Sequence, residues 1–222
     1  MRRIAVLSTL ALSTVALAGC GGEAETLSKE DAKAVLLSED AFPMDGFSKS
    51  EQEISSDDEG DDEGDDEGGS DSTFQDLTAE FDDVPQGCLD AGKAMDEDDS
   101  LNTSDDNGLA KATYTKGEQV AELSISEKQD NHDDAVKAVH KLADECGELT
   151  GGMFDMTMGF EKVDQDDVDG LVMKIAAMGQ TQEITLLVTT VGENVVAASG
   201  EGLSTDDLTK VLEEQKKAIE KK

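Results

Sequence analysis

Four apolar runs alternate with polar residues in FDMTMGFEKVDQDDVDGLVMKIAAMGQTQEITLLVTTVGENVVAA, residues 154–198. The apolar members of the first run are Phe154, Met156, Met158 and Phe160. Similar runs follow at 171–177 and 184–188, and the turn at 192–194 leads into a fourth run at 195–198. Alternation with a period of two is typical of strands with one buried face, and short turns between such runs favour antiparallel hairpins.

The segments on either side add a hairpin and several helices. Ala110–Ile125 alternates around a turn at 116–118, and 46–55 is a further strand candidate. Helical spacing predicts helices over Asp133–Glu148 and after the capping residues Ser28 and Ser204. We therefore expect an α+β domain with a twisted antiparallel sheet of about five to seven strands, flanked by two or three helices.

The N-terminus has the pattern of an export signal. Arg2 and Arg3 precede a stretch without charges, Ile4–Ala18, which is short for a membrane span. The sequence Leu17–Cys20 resembles the lipobox of bacterial lipoproteins at every position. This resemblance implies cleavage between Gly19 and Cys20 and a diacylglycerol on the Cys20 sulfur. We expect a signal peptide at 1–19, a lipidated tether at 20–26 and one domain at 27–222.

The charge excludes several classes of protein. The chain has 53 acidic and 18 basic residues and a formal charge of -35, so it lacks the basic surface that nucleic-acid binding requires. Cleavage before Cys20 would remove both arginines, because Arg2 and Arg3 are the only ones in the chain. Phosphate and dicarboxylate ligands are therefore disfavoured, since arginine is the side chain that binds them in two parallel hydrogen bonds.

The sequence lacks recognisable catalytic and metal-binding motifs. Asp57–Gly68 repeats Asp-Asp-Glu-Gly three times, but it fails the EF-hand pattern at its twelfth position, and Asp164–Gly170 fails it at the glycine. We interpret residues of about 56–72 as a disordered acidic insertion. We find neither a phosphate-binding loop nor a nucleophile elbow, and we expect no enzyme activity, no cofactor and no metal site.

Two cysteines remain after Cys20. Outside the cytoplasm such a pair is usually oxidised, so we expect a disulfide between Cys88 and Cys146. The alternative is a nucleophilic cysteine, which would need a nearby base. His132 and His140 are the only candidates, and the spacing of His140 directs it to another side of the helix than Cys146.

The order of these elements resembles a group of actinobacterial envelope lipoproteins that are similar to the extracellular sensor domain of the receptor kinase PknH. The resemblance is carried by Val35–Asp40 with Gly46-Phe47, by Cys88 after a turn, by the hairpin Ala112–Ser126 and by the helix that ends in Leu142–Cys146. It implies a twisted antiparallel sheet flanked by helices, a disulfide, a cleft for an unidentified ligand and no known catalysis. That sensor domain has two disulfides, whereas this chain can form one.

These observations favour a membrane-anchored, non-catalytic envelope protein whose sensor-like domain binds a protein partner or a small ligand. Its charge predicts that the domain is repelled by anionic lipid. The alternative is a lipid or glycolipid carrier, because methionine suits adaptable apolar pockets. Its candidate ligand residues are Phe154, Met156, Met158, Phe160 and Met173. An accessory subunit of an envelope enzyme, or a surface adapted to high salt, are further hypotheses.

Overall fold

The computed structural model of the chain describes residues 25–52, 74–79, 81, 83–96, 108–151 and 156–222. Within these residues the chain forms eight β-strands and five α-helices. The strands are β1 (Ser48–Gln52), β2 (Gly108–Lys116), β3 (Gln119–Glu127), β4 (Glu148–Gly151), β5 (Met156–Gln165), β6 (Val168–Ala177), β7 (Gln180–Val191) and β8 (Asn194–Glu201). The helices are α1 (Lys29–Val35), α2 (Phe74–Thr78), α3 (Gln86–Asp96), α4 (His132–Cys146) and α5 (Thr205–Glu220).

All eight strands belong to one antiparallel sheet, with the order β1-β2-β3-β8-β7-β6-β5-β4. Strand β2 pairs with β3, and from β5 to β8 each strand pairs with the next strand in the sequence. These two groups of strands meet where β3 pairs with β8, with Leu123 opposite Ala198. The antiparallel sheet with helices is confirmed. The expected five to seven strands and two or three helices are both too few, because short elements such as β4 have little periodicity.

One face of the sheet is covered by α1 and α5. Leu208, Val211 and Leu212 of α5 are buried in the core on this face, where α5 packs against β7 and β8. Gln215 is fully buried in the same helix, where its Oε1 accepts from the Leu37 N–H at 3.0 Å and its Nε2 donates to the Val35 carbonyl at 2.9 Å. These two bonds join α5 to the end of α1.

The opposite face carries a second core beneath α3 and α4. A disulfide joins Cys88 of α3 to Cys146 of α4, which confirms the predicted pairing. Leu171 and Val172 are adjacent in β6, yet each is buried in a different core. The strand is therefore covered on both faces here. The predicted common face of Leu171, Met173 and Ile175 is confirmed, because Met173 and Ile175 pack against the same core as Leu171. Burial of Val172 on the opposite face was not predicted.

The helix ends follow local capping chemistry. The hydroxyls of Ser28 and Ser204 accept the N–H groups of Asp31 and Asp207, as the sequence predicts. Two boundaries differ from expectation. The sequence predicts that the first helix continues to Phe42-Pro43, but it ends at Val35 and is followed by a short 3-10 helix, Glu39–Ala41. Helix α4 ends at Cys146, because Gly147 adopts a φ of 58° and lets Glu148 begin β4.

The signal peptide at 1–19, most of the tether and the acidic insertion at about 56–72 lie outside the described residues. These divisions of the chain therefore stay predictions.

Candidate functional site

The predicted lipidation site, Gly19 and Cys20, lies outside the described residues. The chain is described from Glu25 onward, so the structure shows where the segment behind the predicted anchor enters the domain. That point is the end of the sheet with the β7–β8 turn.

Asn194 fixes this entry point. The Leu27 N–H donates to Asn194 Oδ1 at 2.9 Å, and Asn194 Nδ2 donates to the carbonyls of Glu25 at 3.0 Å and Val191 at 3.1 Å. The Asn194 side chain is fully buried. The sequence predicts only a turn at Asn194, because Glu25 and Leu27, the partners that it fixes, are about 170 positions away in the chain.

The entry point borders a cleft of about 640 Å³ between the β7–β8 turn and the end of α5. Two long-range ion pairs lie here, Lys222 with Asp31 and Lys216 with Asp167. The lysine in each pair is the main cause that lowers the pKa of the carboxyl group. Because these lysines are engaged by carboxylates of the same chain, the described residues of the cleft offer no unpaired basic cluster to an anionic ligand.

The candidate ligand residues of the carrier hypothesis divide into three groups. Met158 and Phe160 are buried in the second core, and the Phe160 ring centroid lies 6.0 Å from that of Phe74. Met156 and Met173 are partly buried and pack against this core, and Phe154 lies outside the described residues. The structure thus brings four of the five residues together around one packed cluster.

A second cleft lies at the opposite end of the sheet. Its volume is about 840 Å³, and it is bordered by the projecting end of the β6–β7 hairpin, by Glu118 in the β2–β3 turn and by Glu201 and Gly202 after β8. We call this cleft the distal notch. Periodicity does not predict this notch, because the notch depends on where β8 stops pairing with β7.

The described cysteines and His140 contact other side chains of the chain. Both sulfurs of Cys88 and Cys146 are in the disulfide, so neither is available as a nucleophile. His140 Nε2 lies 3.1 Å from an Asp169 carboxylate oxygen, which links α4 to β6. Within the described part of the chain, no group of three or more His, Cys, Asp or Glu side chains is arranged to hold a metal ion. Nor does any helix there combine the length and the apolar character needed to cross a membrane.

No protein-family model matches the chain, and no curated protein matches it. Among solved structures, the chain is similar to the extracellular domain of PknH from Mycobacterium tuberculosis, with a TM-score of 0.36 and 12% sequence identity. The match covers 52% of this chain and 66% of that chain. This is a distant likeness over about half of the chain, and it does not assign the chain to a family.

Proposed function

We propose that the chain is a lipid-anchored, non-catalytic binding domain on the outer side of a bacterial plasma membrane. The lipobox residues Leu17–Cys20 support the anchor. The anchor would position the domain because the Asn194 side chain holds the backbone of Glu25 and Leu27 by hydrogen bonds. This is the observation on which the proposal depends. A cysteine five residues before Glu25 would hold the β7–β8 end of the domain within about 17 Å of the bilayer surface.

This attachment would orient the whole domain. Strand β7 is 12 residues long and runs from the β6–β7 turn to the β7–β8 turn. At about 3.3 Å per residue, its far end lies about 40 Å from the end that receives the tether. The distal notch would therefore face away from the lipid, where it is accessible to other envelope proteins.

The test is metabolic labelling of the full-length chain with an alkyne-bearing fatty acid, followed by membrane fractionation. We expect a labelled protein in the membrane fraction, and we expect Cys20→Ser to abolish the label because it removes the acylated sulfur. The matched control is the double variant Cys88→Ser/Cys146→Ser, which should keep its label because Cys20 is the cysteine directly after the predicted cleavage site. Label that persists in Cys20→Ser would refute the proposal.

A lipid carrier is the second candidate, because Met156 and Met173 are only partly buried at the edge of an apolar cluster. The proposal requires lipid to remain bound through purification. Mass spectrometry of organic extracts of the purified protein measures this directly. Extracts without a stoichiometric lipid, other than the anchor itself, would contradict it.

A further inference from the structure

The β6–β7 hairpin extends past its neighbour on the β8 side. Strand β8 ends at Glu201, opposite Ile184 of β7. The preceding residues of β7, 180–183, pair with 174–177 of β6 on their other side. Among the described strands, none pairs with residues 180–183 across the distal notch. Strand β7 is therefore an interior strand from Ile184 onward, but residues 180–183 form an edge strand.

This edge is accessible, and it has few of the features that prevent an edge strand from pairing with another strand. Gln180, Thr181 and Gln182 are exposed, and the segment contains neither proline nor lysine. Natural edge strands usually carry such residues, or are covered by a helix or loop, because unpaired backbone groups are a template for another strand. An extended peptide can add to such an edge through main-chain hydrogen bonds, while its side chains determine specificity.

The charge of the notch favours one kind of peptide. Glu118, Glu183 and Glu201 border it. Glu183 lies 3.8 Å from Lys174, whereas neither Glu118 nor Glu201 forms an ion pair with a lysine in the part of the chain that the structure describes. The carboxylates would attract a basic segment and repel an acidic one, including a second copy of this strongly acidic chain.

The turn at the tip of the hairpin adds an apolar contact. Met178 is 78% exposed, and it has a φ of 55° next to Gly179 with a φ of 79°. Positive φ at both turn positions favours Asn-Gly or Asp-Gly, so methionine is a costly residue here. An exposed methionine that the turn disfavours is better suited to contact with a partner than to the stability of the hairpin.

We infer that the distal notch binds an extended, lysine- or arginine-bearing segment of a partner protein, which adds to β7 at residues 180–183 as a further strand. Main-chain hydrogen bonds hold the segment, its basic side chains face Glu118 and Glu201, and an apolar side chain contacts Met178. The inference deepens the proposed function by naming the partner's chemistry. It requires only the folded domain and not the lipid anchor, so the two proposals fail separately.

The test uses the mature chain with Cys20→Ser and two acetylated, amidated hexapeptide probes, one alternating Lys and Val and one alternating Glu and Val. NMR titration should show saturable binding of the Lys-Val peptide, with the largest amide shifts at residues 180–183, and no binding of the Glu-Val peptide. Shifts located elsewhere, or equal binding of both peptides, would overturn the inference. A salt-dependent dimer with shifts at 180–183 and no peptide binding would overturn it as well.

Variants distinguish binding at the distal notch from a general attraction of the basic peptide to an acidic surface. The double variant Glu118→Gln/Glu201→Gln should weaken Lys-Val binding about three- to tenfold, since each exposed charge contact contributes modestly. Its matched control, Glu25→Gln/Glu220→Gln at the opposite end, removes the same charge and should leave the affinity unchanged. Met178→Asn should weaken binding while retaining or raising the thermal stability of the fold. Equal losses in the two double variants would contradict a defined site.

Discussion

Asn194 is an amide side chain without solvent exposure, and its three hydrogen bonds to the backbone explain how the fold accommodates it. A carboxylate of the same shape keeps an acceptor for the Leu27 N–H but loses both donors. It also places a negative charge against the carbonyl oxygens of Glu25 and Val191. Buried polar groups that lose their partners are costly, and buried unpaired charges cost more.

We therefore expect Asn194→Asp to lower the free energy of unfolding at neutral pH by about 2–4 kcal/mol. Urea unfolding of the soluble mature chain measures this. Hydrogen exchange of the Leu27 amide should also accelerate, because the bond from Asn194 Nδ2 to the Glu25 carbonyl is lost and the segment that it helps to fix opens more often. The control is Gln75→Glu, which adds the same charge at an exposed position and should change stability little. Unchanged exchange at Leu27 in Asn194→Asp would contradict the assigned role.

At the scale of elements, periodicity predicted β2, β3, β5, β6, β7 and β8 because each has a buried face of alternating apolar residues. It did not predict β4, whose four residues lie directly after a helix and contain a single buried side chain, Leu149. The disulfide was predictable from chemistry, since only two cysteines remain for the exported domain. The distal notch and the Asn194 contacts were not, because both depend on pairing between segments that are far apart in sequence.

Two glycines of the β5–β6 hairpin differ in how tightly they are packed. A Cβ added at Gly170 would lie 2.2 Å from the carbonyl oxygen of Leu186 in β7. Because that atom belongs to the backbone of a paired strand, the clash cannot be relieved by a side-chain rotation. At Gly159 in β5, by contrast, a Cβ would meet nothing within 4 Å.

Gly170→Ala should thus destabilise the fold by about 1–3 kcal/mol or more, in the range of overpacked cores. Gly159→Ala is its matched control and should be neutral or slightly stabilising, since glycine weakens a strand interior. Chemical denaturation of both variants measures the difference. The packing argument is wrong if the two substitutions have equal effects.

The disulfide closes a loop with a sequence separation of 58 residues. It joins α3 to α4, which share the second core with β5 and β6. In the chain-entropy model, a loop of this length contributes about 4 kcal/mol by restricting the unfolded chain. The pair Cys88→Ala/Cys146→Ala should then lower the free energy of unfolding by about 2–4 kcal/mol, and dithiothreitol should reproduce this loss in the parent chain. Insensitivity of the parent chain to the reductant would show that the bond contributes no stability.

For the molecule as a whole, acidic side chains outnumber basic ones by 53 to 18. Several of the described ion pairs join neighbours on one helix, as in Asp134–Lys137 and Glu214–Lys217. Such exposed pairs contribute little to stability. The pairs Asp31–Lys222 and Asp167–Lys216 do join distant segments, but both lie at the end of the domain that receives the tether. The excess of carboxylates in the sequence therefore gives a net repulsion that the basic side chains are too few to offset.

Salt should stabilise this fold because it screens more repulsion than attraction. The Debye length falls from about 30 Å at 0.01 M salt to about 3 Å at 1 M. We expect the free energy of unfolding to rise by about 1–3 kcal/mol between 0.02 and 0.5 M NaCl, as measured by urea unfolding. The gain should level off above this range if screening is its cause, whereas a surface adapted to molar salt would continue to gain stability. A stability that falls with added NaCl would mean that the ion pairs outweigh the repulsion, and the argument from net charge would then be wrong.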